Sequence, residues 1–322
     1  MLGDDHEFRH GHYSALVPLP ITVLVVTWRG AAHIADCLDA LAAQDRPHRT
    51  LVVDNASDDG TAALLAAHPS APEVLRLPRN TGYAGALAAA LSHVDTPLVA
   101  WLNDDAAPAP DWLGLLEDAL GAAPGAAAAA SRLDRADGTA QSTGVRLTAD
   151  GHGYDRVTGE LPVFGFCGGA VLLRTEALRA AGGVPAAFFC YYEDTDTAWR
   201  LRLAGHDVLA VPSARVRHRH GASTRPGSPE FHRWNERNRL LMLVRCAPAA
   251  VAARELAKFA ALTAVLPLRR DRPAAANFRF TLRARVLAEI VAMLPGALVA
   301  RRAVGGLARV SRGEVWRSWA GR

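Results

Sequence analysis

The sequence has four cysteines, at 37, 167, 190 and 246, and no CxxC pair. That spacing excludes a disulfide framework and predicts four reduced, buried thiols, the pattern of a cytosolic protein. No stretch reaches 18 uninterrupted apolar residues, so a membrane-spanning helix is not expected. The opening MLGDDHEFRHGHYSAL carries acids and histidines where a signal peptide needs an apolar core, and residues 1–18 are expected to be a flexible leader. A GxGxxG dinucleotide fingerprint is missing. The net charge of +4, with a pI near 9.1, is too small an excess to imply nucleic acid; it suits an anionic small molecule or a membrane surface. Nothing in the composition signals an oligomeric state.

What is present is a chain of 322 residues, half of them apolar. That is enough for one large α/β domain, alone or with an appendage. ITVLVVTW (21–28) and TLVVDN (50–55) read as buried strands, as do EVLRL (73–77) and PLVAWLN (97–103). Between them lie the amphipathic stripe Ile34, Leu38, Leu41, a second helix over 61–68 and an Ala-rich helix over 84–93. Strands alternating with helices predict a parallel sheet of βαβ units. The Ala-rich 121–131 is weakly informative. Residues 133–165, rich in Gly, Asp and Thr, read as a mobile loop region or a short hairpin. GGAVLLR (168–174) is a strand, with Thr175 as the N-cap of the next helix. A helix over 196–205 and a strand through HDVLAVPSARVRH follow. Beyond 240 come apolar segments broken by proline and flanked by arginine. They read either as packed accessory helices or as amphipathic helices lying on an anionic bilayer.

Ligands of such sheets bind beyond the carboxyl ends of the strands. Thr27, Asp54 and the Asp104–Asp105 pair all fall there, so three strands deliver polar side chains to one edge. VVDNASDDGT reads as a turn or as an acid accepting hydrogen bonds from a base or ribose. LPRNTGYAGAL is a glycine bend opening a helix, where Gly82 permits close approach and the helix start favours a phosphate. The acids of WLNDDAAPAPDW (101–112) are either a solvated turn or ligands for Mg²⁺ or Mn²⁺, hard ions that neutralise a departing diphosphate. In FFCYYEDTDTAW the acids Glu193, Asp194 and Asp196 follow four aromatics. They serve either the helix dipole or, behind a wall that excludes water, general-base chemistry. His218 and His220 share one strand face, as ordinary histidines or as an imidazole completing a carboxylate metal site.

In this order and at these separations, VLVVTWRG, VVDNASDDGT, NTGYAGAL, WLNDDAAPAPDW, GGAVLLR, YYEDTDTAWRLRLAGHDV and VRHRHGAS resemble the family 2 glycosyltransferases of GT-A fold. The likeness is nearest to the bacterial rhamnosyl- and galactofuranosyl-type branch and covers about residues 20–225. It implies an α/β fold: a Rossmann-like, mostly parallel central sheet flanked by helices, with a C-terminal helical extension. The transferase domain would span 19–240, a nucleotide-sugar half to about 110 and an acceptor half beyond, followed by a helical region over 241–322. By resemblance Thr27 and Asp54 contact the nucleotide, Arg79, Asn80 and Gly82 line the diphosphate side, and Asp105 is the main metal ligand. Asn103 or Asp104 assists it, and His218, followed by Gly221 and Ser223, completes the site. Asp194 would be the catalytic base, with Glu193 orienting or binding the acceptor. The implied reaction is an inverting, metal-dependent transfer from a nucleoside-diphosphate sugar, UDP- or dTDP-linked by preference, to a hydroxyl of a glycan, lipid-linked or small-molecule acceptor. The implied location is the cytoplasm or the inner face of the cell membrane. Two other readings are a catalytically silent nucleotide-sugar binder, disfavoured by intact ED and DD acids, and a sugar nucleotidyltransferase. The latter wants a Gly-rich basic loop after the first strand, where TWRGAAH has one glycine.

Overall fold

The computed structural model describes residues 21–157, 162–219, 226–269, 271 and 273–321. The expected leader and His220, Gly221 and Ser223 lie outside them.

The first part of the chain alternates as the periodicity requires: β1 (Ile21–Thr27), α1 (Ile34–Ala42), β2 (His48–Asp54), α2 (Thr61–Ala67), β3 (Glu73–Arg76), α3 (Gly82–Ala90) and β4 (Leu98–Asn103). All seven residues of β1 are buried, as expected of a β-branched run in the middle of a parallel sheet. Successive side chains of β1 feed different cores: Val23 and Val25 pack with Ile34 and Leu38, Leu24 and Val26 with Leu87 and Trp101. β1 pairs in parallel with β2 and β4, so Thr27 lies opposite Asp54 and Val26 opposite Asn103. Three strand ends are therefore level at one edge.

The second half comprises β5 (Ala106–Pro108), α4 (Trp112–Ala122), β6 (Ala126–Asp134), β7 (Ala140–Ser142), β8 (Val145–Leu147), β9 (Gly153–Asp155), β10 (Ala170–Arg174), α5 (Thr175–Ala180), α6 (Glu193–Leu203) and β11 (Asp207–His218). The sheet order is β3-β2-β1-β4-β10-β6-β11-β5, with β7 on β6. Here the sheet becomes mixed. β10 runs antiparallel to β4 and β6, and β5 antiparallel to β11, while β6 and β11 are parallel. The Ala-rich stretch supplies a central strand: Ala126–Ala130 are all buried, and their small side chains admit Trp112, whose indole N–H reaches Ser131 Oγ at 2.7 Å. Tertiary packing has overridden alanine's helical preference. Within 133–165 the hairpin reading holds for β8 and β9. Thr175 is not an N-cap: it is the first residue of α5, and no side chain caps that helix.

Four helices complete the chain: α7 (Pro229–Cys246), α8 (Ala249–Val265), α9 (Phe280–Leu307) and α10 (Arg312–Trp319). Ser228 caps α7 by accepting from the Phe231 N–H at 3.2 Å, with Pro229 at the first helical position. α7 runs unbroken across residue 240. α10 buttresses α6: Trp316 stacks on Trp199 at 5.9 Å, and the Arg202 guanidinium sits 4.4 Å above Trp319. Among the described residues no helix is long and apolar enough to cross a membrane. All four cysteines are free thiols, but only Cys37 and Cys246 are buried. Cys167 and Cys190 are half-buried in a cavity wall, which corrects the expectation of four core thiols.

Candidate active site

A cavity of about 520 Å³ opens beyond the carboxyl ends of β1, β2 and β4. Asn80, Gly82, Asn103, Asp104, Asp105, Glu193, Asp194 and His218 all line it. Thr27, Asp54 and Arg79 are not among its lining residues. Asp54, fully buried, is ion-paired with Arg76 and accepts the Ser57 N–H at 2.9 Å. The wall next to it is Asn55, whose amide donates to Asn80 Oδ1 at 3.0 Å and to the Gly82 carbonyl at 3.1 Å. Gly82 has φ +74, and a Cβ there would lie 2.2 Å from the Phe189 carbonyl oxygen. Its glycine is thus required by backbone conformation and by the close approach of the 189 loop.

At one end of the cavity Asp105 and His218 meet. The antiparallel pairing of β5 and β11 sets His218 opposite Ala106, one residue past Asp105. His218 Nε2 lies 3.0 Å from Asp105 Oδ1 and 3.1 Å from Asn103 Nδ2, and its Nδ1 is 2.9 Å from Gln141 Oε1. Because an amide oxygen only accepts, Gln141 Oε1 takes a hydrogen bond from the ring Nδ1–H and leaves Nε2 facing the Asp105 carboxylate. An imidazole nitrogen and a carboxylate oxygen 3.0 Å apart can share a proton or a cation. Burial pushes the Asp105 carboxyl up, but the hydrogen bond and charge of His218 and the charge of His33 outweigh it and hold the pKa below the usual range. Asp104 turns elsewhere, with Oδ2 3.3 Å from His33 Nε2. The hydrogen bond to Asp104 raises the His33 pKa against the opposing effect of burial.

Among the described residues no three His, Cys, Asp or Glu side chains converge on one point. The donor set is therefore a carboxylate and an imidazole, with Asn103 beside them. Such a set fits Mg²⁺ or Mn²⁺ when phosphate oxygens and water fill the other positions.

At the other end, α6 begins three residues earlier than the sequence pattern suggests, so Glu193 and Asp194 occupy its first turn. The loop before it holds Phe189, Tyr191 and Tyr192 at φ +67, +70 and +69. Left-handed backbone costs such residues about 1–2 kcal/mol each. α7 compensates. The Asn238 amide, fully buried, donates to the carbonyls of Phe188, Cys190 and Tyr191 at 2.8–2.9 Å, and Arg237 donates to Phe188 at 2.8 Å. Asp194 accepts from Gly168 N–H at 2.9 Å and from the Thr195 N–H and hydroxyl. A carboxylate offers about four acceptor positions, so one stays open. Burial raises the Asp194 pKa against these donors. Burial, then the neighbouring Asp194 charge, pushes Glu193 to about 8, and its Oε2 has no hydrogen-bond partner.

Sequence reasoning missed Asp155, Gln141 and Asn238. Asp155 lines the cavity from β9, and burial raises its carboxyl to about 6. None of the three sits in a recognisable motif. The one available signal was an asparagine amid Arg237 and Arg239 at the start of an apolar helical run.

The sequence profile of glycosyl transferase family 2 matches residues 22–182, half of the chain. The N-acetylglucosaminyl-diphospho-decaprenol L-rhamnosyltransferase of Mycobacterium tuberculosis is 29% identical over 241 residues, covering 63% of this chain and 77% of that protein. Among solved structures, GalNAc-T7 with UDP, GalNAc and Mn²⁺ is similar with a TM-score of 0.60 and 12% identity over 86% of this chain; the match spans 57% of that chain. The mannosyltransferase of Pyrobaculum calidifontis with GDP-Man and Mn²⁺ gives 0.51 and 22% identity, over 94% of this chain and 80% of the other. S. aureus TarS 1–349 with UDP-GlcNAc gives 0.53 and 18%, over 94% and 93%. These structures share the GT-A fold.

Proposed function

The chain belongs to glycosyl transferase family 2, and on that premise we propose that it moves a sugar from a nucleoside-diphosphate donor to an acceptor hydroxyl by metal-assisted, inverting displacement. One observation carries this reading: a single cavity holds the Asp105–His218 pair at one end and the Glu193–Asp194 pair at the other. Leaving-group chemistry and proton abstraction need different groups on opposite sides of the sugar.

Asp105 and His218, with Asn103 beside them, would hold the cation; Asp104, engaged by His33, stays on the nucleotide side. Mg²⁺ or Mn²⁺ bound there supplies Lewis-acid neutralisation of the departing diphosphate. Asn55, Asn80 and Trp28 wall the nucleotide end, while Thr27, Asp54 and Arg79 lie outside its lining. Asp194 takes the acceptor hydroxyl's proton while that oxygen attacks the anomeric carbon and the bond to the diphosphate oxygen breaks. Attack opposite the leaving group inverts the configuration. Glu193, protonated at neutral pH, donates a hydrogen bond that orients the acceptor. The aromatic wall of Tyr191, Phe231 and Trp234, and the polyprenyl-diphosphate acceptor in the relative's name, favour a lipid-linked glycan as acceptor.

A panel of nucleotide sugars assayed for released nucleoside diphosphate tests this. Turnover of at least one donor, abolished by EDTA, is the expected result. Release that ignores EDTA removes the metal from the reaction, and no release from any donor with a lipid-linked glycan present removes the transferase reading.

A further inference from the structure

The C-terminal helices leave an apolar face uncovered. Residues 290–300 of α9 carry no charge, and on the solvent side Val291 is 69% exposed, Leu298 46% and Val299 65%. A helix apolar on all sides is ordinarily enclosed, yet only one side of this one packs on α7. Phe280, 11 residues before Val291, falls on the same line along the helix and is 44% exposed; Leu268, just past α8, is 83% exposed.

Charge separates the candidates for what covers this face. Residues 241–322 contain 15 Lys and Arg against four Asp and Glu, within a chain whose whole net charge is only +4. Exposed Arg269 and Arg279 flank the Leu268–Phe280 tip, and exposed Arg302 follows the uncharged segment. A second copy docking on the same face would bring these cations together. Anionic lipid headgroups would neutralise them while the apolar side chains enter the interface.

The face is also placed usefully. Glu289 pairs with Arg233 at 2.6 Å and Arg237 at 3.2 Å, while Arg301 donates to the carbonyls of Val244 and Ala247. α7 and α9 therefore run parallel, and the Phe280 end lies beside the α7 start, where Phe231 and Trp234 enter the cavity wall.

We propose that this face of α9 and the α8–α9 tip seat the protein peripherally on an anionic bilayer, with the acceptor end of the cavity near the membrane surface. Seating does not depend on sugar transfer, and donor turnover is assayed without vesicles, so either reading can fail alone.

Flotation of the full chain with phosphatidylcholine vesicles, or with an equal mixture of phosphatidylcholine and phosphatidylglycerol, is the test. Co-flotation with the mixed vesicles only, reduced by high salt, is expected. The Leu268→Glu, Phe280→Glu double variant, which alters only exposed side chains, should lower partitioning roughly tenfold or more. Arg279→Glu should weaken it while leaving the thermal unfolding midpoint unchanged. Failure to float with anionic vesicles, or flotation indifferent to these variants, overturns the proposal. So does a dimer in solution that the double variant dissociates, which would assign the face to a second copy.

Discussion

The two ends of the cavity are built by opposite means. At the Asp105–His218 end the side chains hang from strand termini in ordinary conformations, and a ladder register decides that they meet. At the Glu193–Asp194 end the acids follow three non-glycine residues held at positive φ, clamped from α7 by Asn238 and braced from behind by α10. A metal site needs fixed lone pairs, which a sheet edge provides. A base needs a raised pKa, which burial gives the proposed base Asp194 at the cost of a strained approach. The first end should therefore govern binding and the second turnover.

Asp194→Asn gives the largest expected effect: a loss of about a thousandfold in turnover, the middle of the range for a general base, read by nucleoside diphosphate release. Asn238→Ala should cost about 2–4 kcal/mol of stability in urea unfolding, because it strands buried carbonyls and frees a strained loop. It should lower kcat more than it raises KM. Gln141→Leu should leave kcat less affected but weaken Mn²⁺-supported UDP binding roughly 10- to 100-fold, since it frees the His218 ring.

The smallest effect is on stability. The Glu193 carboxyl rises from 4.5 to about 8 on folding, so it binds a proton that the unfolded chain lacks between those values. Its ionisation therefore destabilises the fold increasingly as pH rises through that window, and fully above it. Glu193→Gln should stabilise the protein by about 1–2 kcal/mol above pH 8 and by nothing near pH 4, as melting at the two pH values would show.

The same contrast explains what was legible in the sequence. β1, β2 and β4 declare themselves as short apolar runs ending in polar residues, so their level carboxyl ends and the Asp104–Asp105 position follow from pattern alone. The mixed half does not. Alanine at 126–130 carries no strand signal, and nothing local shows β10 inserted between β4 and β6. Asp54 reads as a ligand because it ends a strand, but only Arg76, 22 residues away, reveals where its charge is spent. The proposed choice of Asn103 over Asp104 beside Asp105 likewise rests on His33, which no spacing rule links to the pair. Asn238 stands 47–50 residues from the carbonyls it holds, beyond any local periodicity.

Titrating UDP into the Asp105→Ala and Asp194→Asn variants, with and without Mn²⁺, tests the division between the two ends most directly. Mn²⁺-dependent affinity should be lost in Asp105→Ala and unchanged in Asp194→Asn. Wild-type affinity in Asp105→Ala, or loss of Mn²⁺-dependent binding in Asp194→Asn, would contradict it.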